Sequence, residues 1–234
     1  MISADVAFER AADAAATAFA AAPPFISYRV DVQADTATLR SDESKRIVVR
    51  TRDGNALVRD VHGGAARMGP ALPLSPAVDA LADWAFAFDV SEGHVRLDVV
   101  YEHPKLYSAP TPGPGITVVV PSVNGFAVRY APDETNHVQL EPSTPATRDF
   151  AAQRDHFVYR DVWFDPVTSL PTRVVLAAVD EMLALDYTVV DGHWLLRDFT
   201  YHALERTQHD AKRYRIAAQY ADYAFPESFP TVSL

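Results

Sequence analysis

Residues 157–225 read FVYRDVWFDPVTSLPTRVVLAAVDEMLALDYTVVDGHWLLRDFTYHALERTQHDAKRYRIAAQYADYAF, a run of extended segments broken only by turn chemistry. Phe157–Phe164 leads through Asp165-Pro166 and Leu170-Pro171 into Arg173–Ala177. Leu183–Val190 then meets Asp191-Gly192, and His193–Leu204 follows. Asp-Gly between two strand-like runs signals a hairpin, because both turn residues need positive φ. A last strand spans Arg213–Phe225. Leu183, Leu185, Tyr187 and Val189 alternate with Asp186 and Thr188. That period of two predicts an antiparallel sheet with one buried and one wet face.

Working outward, Ala4–Ala21 reads as an alanine-rich helix with Ser3 as its cap, ended by Pro23-Pro24. Phe8, Ala12, Ala15 and Phe19 form its apolar stripe. Phe25–Ala34 is a strand, and Arg46–Arg52 with Ala56–Val61 makes a hairpin around Asp53-Gly54. Residues 62–74 read as a long Gly/Pro loop. Ser75-Pro76 opens a second helix to about Phe88, with Val78, Leu81, Trp84, Ala85 and Phe88 on one side. Val95–Tyr101 is a strand, and four prolines stiffen residues 103–115. Ile116–Val123 and Phe126–Tyr130 pair at Asn124-Gly125, with Pro121 placing the first at an edge or bulge. His137–Leu140 continues the sheet, and residues 141–155 form a polar link. So many strands against two helices predict an α+β architecture, a large curved antiparallel sheet with helices on one face.

The 234 residues are 48% hydrophobic and 11% aromatic, enough for a core in one large domain or two small ones. The net charge of −10 argues against a nucleic-acid surface and against electrostatic binding to anionic membranes. Arg46, Arg50, Arg52 and Arg59 are the densest basic group and read as a solvated strand face. With no cysteine, disulfides and thiolate chemistry are excluded. No stretch reaches the length of a membrane-spanning helix, and acidic residues interrupt the N-terminal apolar run, so it does not read as a secretory leader.

Chemistry-bearing motifs are missing: no nucleophile elbow, no zinc-protease pattern, no phosphate loop and no dinucleotide fingerprint. Eight histidines are scattered, and only His202 and His209 straddle a turn in a way that could bring them together. Asp186 and Asp198 become neighbours if the Asp191-Gly192 hairpin forms. No catalytic residue, metal ligand or cofactor is assigned, and the chain reads as a non-enzyme.

Val162-Trp163-Phe164-Asp165-Pro166-Val167-Thr168, followed by Leu170-Pro171-Thr172-Arg173-Val174, resembles the W-x-D-x-x-T-x-x-P-x-R hairpin of the periplasmic lipoprotein-carrier superfamily, the LolA/LolB-like proteins and their outer-membrane lipoprotein-sorting relatives. Tyr220–Pro226 resembles that family's closing strand and Pro-containing tail, and the order of helix, long strand, hairpin, helical insertion and meander is also similar. The resemblance is specific across about residues 157–226. It implies a single domain over residues 1–234, folded as an unclosed β-barrel whose concave face is covered by the N-terminal and inserted helices. It also implies an extracytoplasmic protein (periplasmic, cell-surface or lipoprotein-anchored) with its leader absent from the given chain. Two departures stand out: the longer, proline-richer 103–156 segment and the lack of a lipobox cysteine.

The expected activity is binding of a lipid, an acylated protein or another hydrophobic ligand in the concavity. Candidate lining residues are Phe8, Phe19, Trp84 and Phe88 from the helices, and Tyr28, Val30, Ile47 and Val49 from the strands. Expected partners are a lipid or acyl chain and a lipoprotein or membrane-associated protein, with no nucleic acid and at most peripheral membrane contact. The alternative is a structural or sensory module of the same fold that binds a protein partner.

Overall fold

The computed structural model describes residues 2–35, 40–50, 56–62, 67–69, 88–91, 94–97, 99–100, 115–116, 125–132, 134–152, 158–206 and 211–230. Helix α1 spans Ala4–Ala20. It is followed by strands β1 (Phe25–Asp35), β2 (Arg40–Arg50), β3 (Ala56–Asp60) and β4 (Arg67–Gly69). Two short pairs follow: β5 (Phe88–Ser91) with β6 (His94–Leu97), and β7 (Val99–Val100) with β8 (Gly115–Ile116). The chain then continues through β9 (Phe126–Tyr130), β10 (His137–Pro142) and helix α2 (Pro145–Ala151). It ends with β11 (Val158–Phe164), β12 (Pro171–Ala178), β13 (Glu181–Val190), β14 (His193–Arg206) and β15 (Ala211–Ala224).

Eleven of these strands form one antiparallel sheet in the order β4-β3-β2-β1-β15-β14-β13-β12-β11-β10-β9. The topology is two meanders meeting at β1 and β15. One runs outward from β1 to β4, and the other returns from β9 to β15 and closes beside β1. No described ladder joins β4 to β9, so the sheet is open, as the unclosed-barrel expectation requires.

The turns follow from their residues. At Asp191-Gly192 the φ angles are 50° and 83°, the left-handed pair that a two-residue hairpin needs. At the β11–β12 turn, the Asp165 carboxylate accepts hydrogen bonds from Thr168 N (2.7 Å), Val167 N (3.0 Å) and Thr168 Oγ1 (3.0 Å). These donors, Thr168 foremost, hold the Asp165 carboxyl below its ordinary pKa range. The W-x-D-x-x-T pattern is thus a turn device: Asp165 caps the bend and Thr168 locks it.

Register pairing traces one continuous buried face. Tyr159 pairs with Leu176, and Leu176 with Leu183. Leu185 pairs with Phe199, Phe199 with Ala218, Ala218 with Val32, and Tyr28 with Ile47. Helix α1 lies on this face against β9, β10, β12 and β14.

Several expectations change. The loop assigned to residues 62–74 contributes Arg67–Gly69 as β4, paired with β3. Residues 145–151 of the polar link form α2, started by reciprocal bonds between Thr144 and Thr147 (backbone N to side-chain Oγ1, 3.2 Å each way), with Pro145 in the first turn. The buried residues of α1 are Ala4, Ala7, Phe8 and Ala11; of the expected stripe Phe8 is buried, Ala12 and Ala15 are partly buried, and the Phe19 side chain lies outside the described residues. Phe88 begins strand β5 instead of ending a helix, while the rest of the expected 75–88 helix lies outside the described residues. Gly115–Ile116 pairs with Val99–Val100, and residues 117–124 of the expected hairpin also lie outside them.

Candidate functional site: the helix-covered face of the sheet

On the helix-covered face, Val30, Val32 and Ile47 are 0% exposed, and Tyr28 and Ile26 are 1% exposed. Tyr28 packs against Tyr220 and Tyr223 with ring centroids 5.7 and 5.8 Å away. Toward the β13–β14 turn, Tyr187 stacks on Trp194 at 4.1 Å, and Trp194 Nε1 donates to the Pro171 carbonyl at 2.8 Å. The Tyr223 hydroxyl donates to the Leu196 carbonyl. Burial raises the phenol pKa of Tyr159, Tyr187 and Tyr220, so all three are neutral and contribute as apolar rings with one polar tip.

Helix α1 is fastened to this face by a few contacts. The Phe8 ring meets Tyr159 edge-on at 5.9 Å, and the Tyr130 hydroxyl donates to the Ile2 carbonyl at 3.2 Å. Ala4, Ala7 and Ala11 complete its buried stripe. Alanines allow close approach but remove little apolar area from water, so among the described side chains of α1 Phe8 carries most of the grip.

Of the expected lining residues, Phe8, Tyr28, Val30 and Ile47 are buried on this face. Phe19 lies in α1 and Val49 in β2, but their side chains fall outside the described residues, as does Trp84 altogether. Phe88 belongs to the β5–β6 pair and to no strand of the large sheet. The sequence reading named none of Tyr220, Tyr187, Phe199 and Lys45 as a lining residue, although it set Tyr187 on the alternating apolar face of its strand. The first three were legible by alternation within their strands. Lys45 was missed because β2 was begun at Arg46, whereas it starts at Arg40.

The opposite face is largely polar, although Val175, Ala184 and Leu195 are buried on it. A register row crosses it from His137 through Trp163, Arg173, Asp186, Asp198 and Gln219 to Asp31 and Ser44. Its acids are matched by neighbours. Arg197 lies 2.6 Å from Asp198 and 3.9 Å from Asp186, and Arg173 lies 3.4 Å from Asp186. Asp31 takes Ser44 Oγ and Arg29 Nε. Asp161 is buried and binds His137 Nε2 (3.0 Å), Gln139 Nε2 (3.0 Å) and Arg160 Nε (3.2 Å), while the His137 ring stacks on Trp163 at 3.8 Å. Asp186 and Asp198 are register partners, as the hairpin reading required, but their arginines make them a salt-bridged surface rather than an acid–base pair held over a cleft. His202 is exposed on β14 and His209 lies outside the described residues. Among the described residues no group of three His, Asp or Glu is placed to hold a metal. No described helix is long and apolar enough to cross a membrane.

Burial raises the Asp186 carboxyl above its ordinary range, against the pull of Arg173 and Arg197, and Asp198 adds to the rise. A carboxyl raised on folding stabilises the fold most below its unfolded pKa, and that contribution is lost as pH climbs through the folded value. Asp186→Asn removes this titration. Relative to the parent, the variant is expected to gain stability as pH rises from below the unfolded carboxyl value, about 3.9, through the raised folded value, read as the difference in urea midpoints. A difference that stays constant across that window rules out the raised carboxyl.

No known protein-family profile matches the chain, and no curated protein does. Among solved structures it is similar to a LolA superfamily protein from Nitrosomonas europaea, with 10% identity, a TM-score of 0.37, and coverage of 98% of this chain and 96% of that one. It is also similar to a DUF1329 family protein from Desulfovibrio piger (8% identity, TM-score 0.39, 98% and 96% covered). A third is a candidate outer membrane lipoprotein-sorting protein domain from Vibrio parahaemolyticus (13% identity, TM-score 0.38, 95% and 94% covered). At such scores and identities the likeness carries none of the functional argument, which rests on the chain's own residues.

Proposed function

We propose that this chain is a non-enzymatic, extracytoplasmic binding protein that takes the acyl part of a lipid or of a lipid-modified protein onto the helix-covered face of its open sheet. The observation that carries this reading is the asymmetry of the two faces. One carries buried aliphatic and aromatic side chains from Tyr159 on β11 to Ile47 on β2, and the other is crossed by a salt-bridged polar row. Over the β9, β10, β12 and β14 part of the apolar face, α1 is an alanine-rich cover, gripped among its described side chains mainly through Phe8. Lifting it exposes apolar surface that an acyl chain can replace, at roughly 0.8 kcal/mol per CH₂ removed from water. The resemblance of residues 157–226 to the lipoprotein-carrier hairpin supports the ligand class and the compartment.

Native mass spectrometry of the purified protein, with organic extraction of what accompanies it, tests the reading. The expected result is a stoichiometric lipid adduct, or saturable uptake of a fluorescent fatty acid by the apo protein. A clean apo mass with no uptake overturns it.

A further inference from the structure

On the polar face, arginines stand in one register row across β1, β2 and β3: Arg29 pairs with Arg46, and Arg46 with Arg59. Like charges placed directly opposite on neighbouring strands repel. Farther along the face the arginines meet carboxylates of their own. Arg173 and Arg197 reach Asp186, Arg197 also reaches Asp198, and Arg160 reaches Asp161. In the arginine row the acids gather at one end. Asp31 and Asp222 each lie 3.0 Å from Arg29, and Arg46 has only a share of Asp222, at 3.8 Å. Arg59 is exposed and makes no ion pair or hydrogen bond among the described residues. Beside this row, Val48 and Leu57 are register partners on the same face, and both are half-buried. An exposed basic pair therefore adjoins a small apolar pair.

We propose that Arg46 and Arg59 bind the phosphomonoester group of a small amphiphile, whose apolar part lies on Val48 and Leu57. A phosphomonoester carries close to two negative charges and three acceptor oxygens, so one group can take a planar fork from each guanidinium and turn their repulsion into a shared attraction. Cross-strand partners hold their Cβ atoms about 4.5–5.5 Å apart, close enough for both long side chains to meet one phosphate. The net charge of −10 opposes approach to an extended anionic surface, but exposed charges beyond about 10 Å are screened, so a monomeric ligand responds to the arginines nearest it. The site lies on the other side of the sheet from the acyl face and does not depend on it.

Isothermal titration of the full chain at low ionic strength with dihexanoyl phosphatidic acid, inorganic phosphate and dihexanoyl phosphatidylcholine tests this. The phosphatidic acid is expected to bind most tightly and phosphate more weakly. The phosphatidylcholine, whose phosphate is a diester beside its own cation, is expected not to bind at this site. Arg46→Gln and Arg59→Gln are each expected to weaken the phosphatidic acid about five- to tenfold, between an exposed ion pair and a charge-assisted hydrogen bond. Arg129→Gln, at an exposed position of β9 on the same face, changes the net charge equally and is expected to leave binding unchanged. Equal affinity for phosphatidic acid and phosphate overturns the apolar contact and leaves free phosphate as the ligand. Phosphatidylcholine binding as tightly as phosphatidic acid overturns the dianionic head. Binding that survives both Arg46→Gln and Arg59→Gln undiminished belongs to another place, the acyl face included, and overturns the site, as does an equal loss in Arg129→Gln. No binding of either phosphate at millimolar concentration overturns the proposal outright.

Discussion

Replacing Leu185 by alanine is expected to lower the unfolding free energy by about 3–4 kcal/mol, because a fully buried leucine loses both its transfer energy and the contacts around the vacated volume. Leu185 is 1% exposed on β13, near the middle of the eleven-stranded sheet. Its register neighbours are Val174 on one side and Phe199 on the other, both buried. A site fixed on two sides by backbone ladders collapses poorly, which puts the loss in the middle of the usual range. Val189→Ala, four residues along the same strand, is the control. Val189 is 54% exposed, and its truncation should change stability by less than about 0.5 kcal/mol. Urea denaturation of the two variants checks both numbers, and comparable losses would show that the two valine and leucine positions share one buried face after all.

That contrast marks where sequence legibility stops. Alternation over Leu183–Val189 reads as one apolar face, and three of its four members are buried. Val189 departs for two local reasons. The ladder between β13 and β14 shifts after Asp186, leaving Arg197 as an extra residue. Beyond the shift, Trp194, the register partner of Val189, lies back on Tyr187 and bonds to the Pro171 carbonyl, so the valine is left at the rim. No propensity encodes that. The hairpins, in contrast, were legible because their turns are chemically specified: Asp191-Gly192 supplies positive φ, and Asp165 with Thr168 closes its turn through its own side chains. Helix α2 was legible in principle. Thr144-Pro145 repeats the cap-then-proline logic applied to Ser75-Pro76, but seven residues with only one large apolar side chain give too weak a periodicity to overrule a link. At the candidate site, Phe8, Tyr28, Val30 and Ile47 were found from strand and helix periodicity alone. Lys45 was not, since a charged residue at a strand end reads as solvated until pairing with Val30 and Asp60 places it inside.

Phe8→Ala is expected to release α1 while leaving the sheet folded. Truncating a buried phenylalanine costs about 3–5 kcal/mol, and among the described residues that loss falls on an element held otherwise by Ala4, Ala7, Ala11 and one hydrogen bond from Tyr130 to Ile2. The sheet has its own ladders, which pair Leu176 with Leu183 and Leu185 with Phe199 without α1. Hydrogen exchange separates the outcomes, because local opening and global unfolding protect different amides. Amides of α1 should lose about two orders of magnitude or more of protection, whereas those of β13, β14 and β15 should change little. Because the helix is alanine-rich, its far-UV helical signal should fall only partly on undocking. The functional consequence follows from the same asymmetry of energies. If α1 is a cover over an acyl site, its release speeds both entry and exit of a fluorescent fatty acid. If α1 is instead an inseparable part of the core, Phe8→Ala lowers protection equally in helix and sheet, and ligand exchange cannot depend on lifting it.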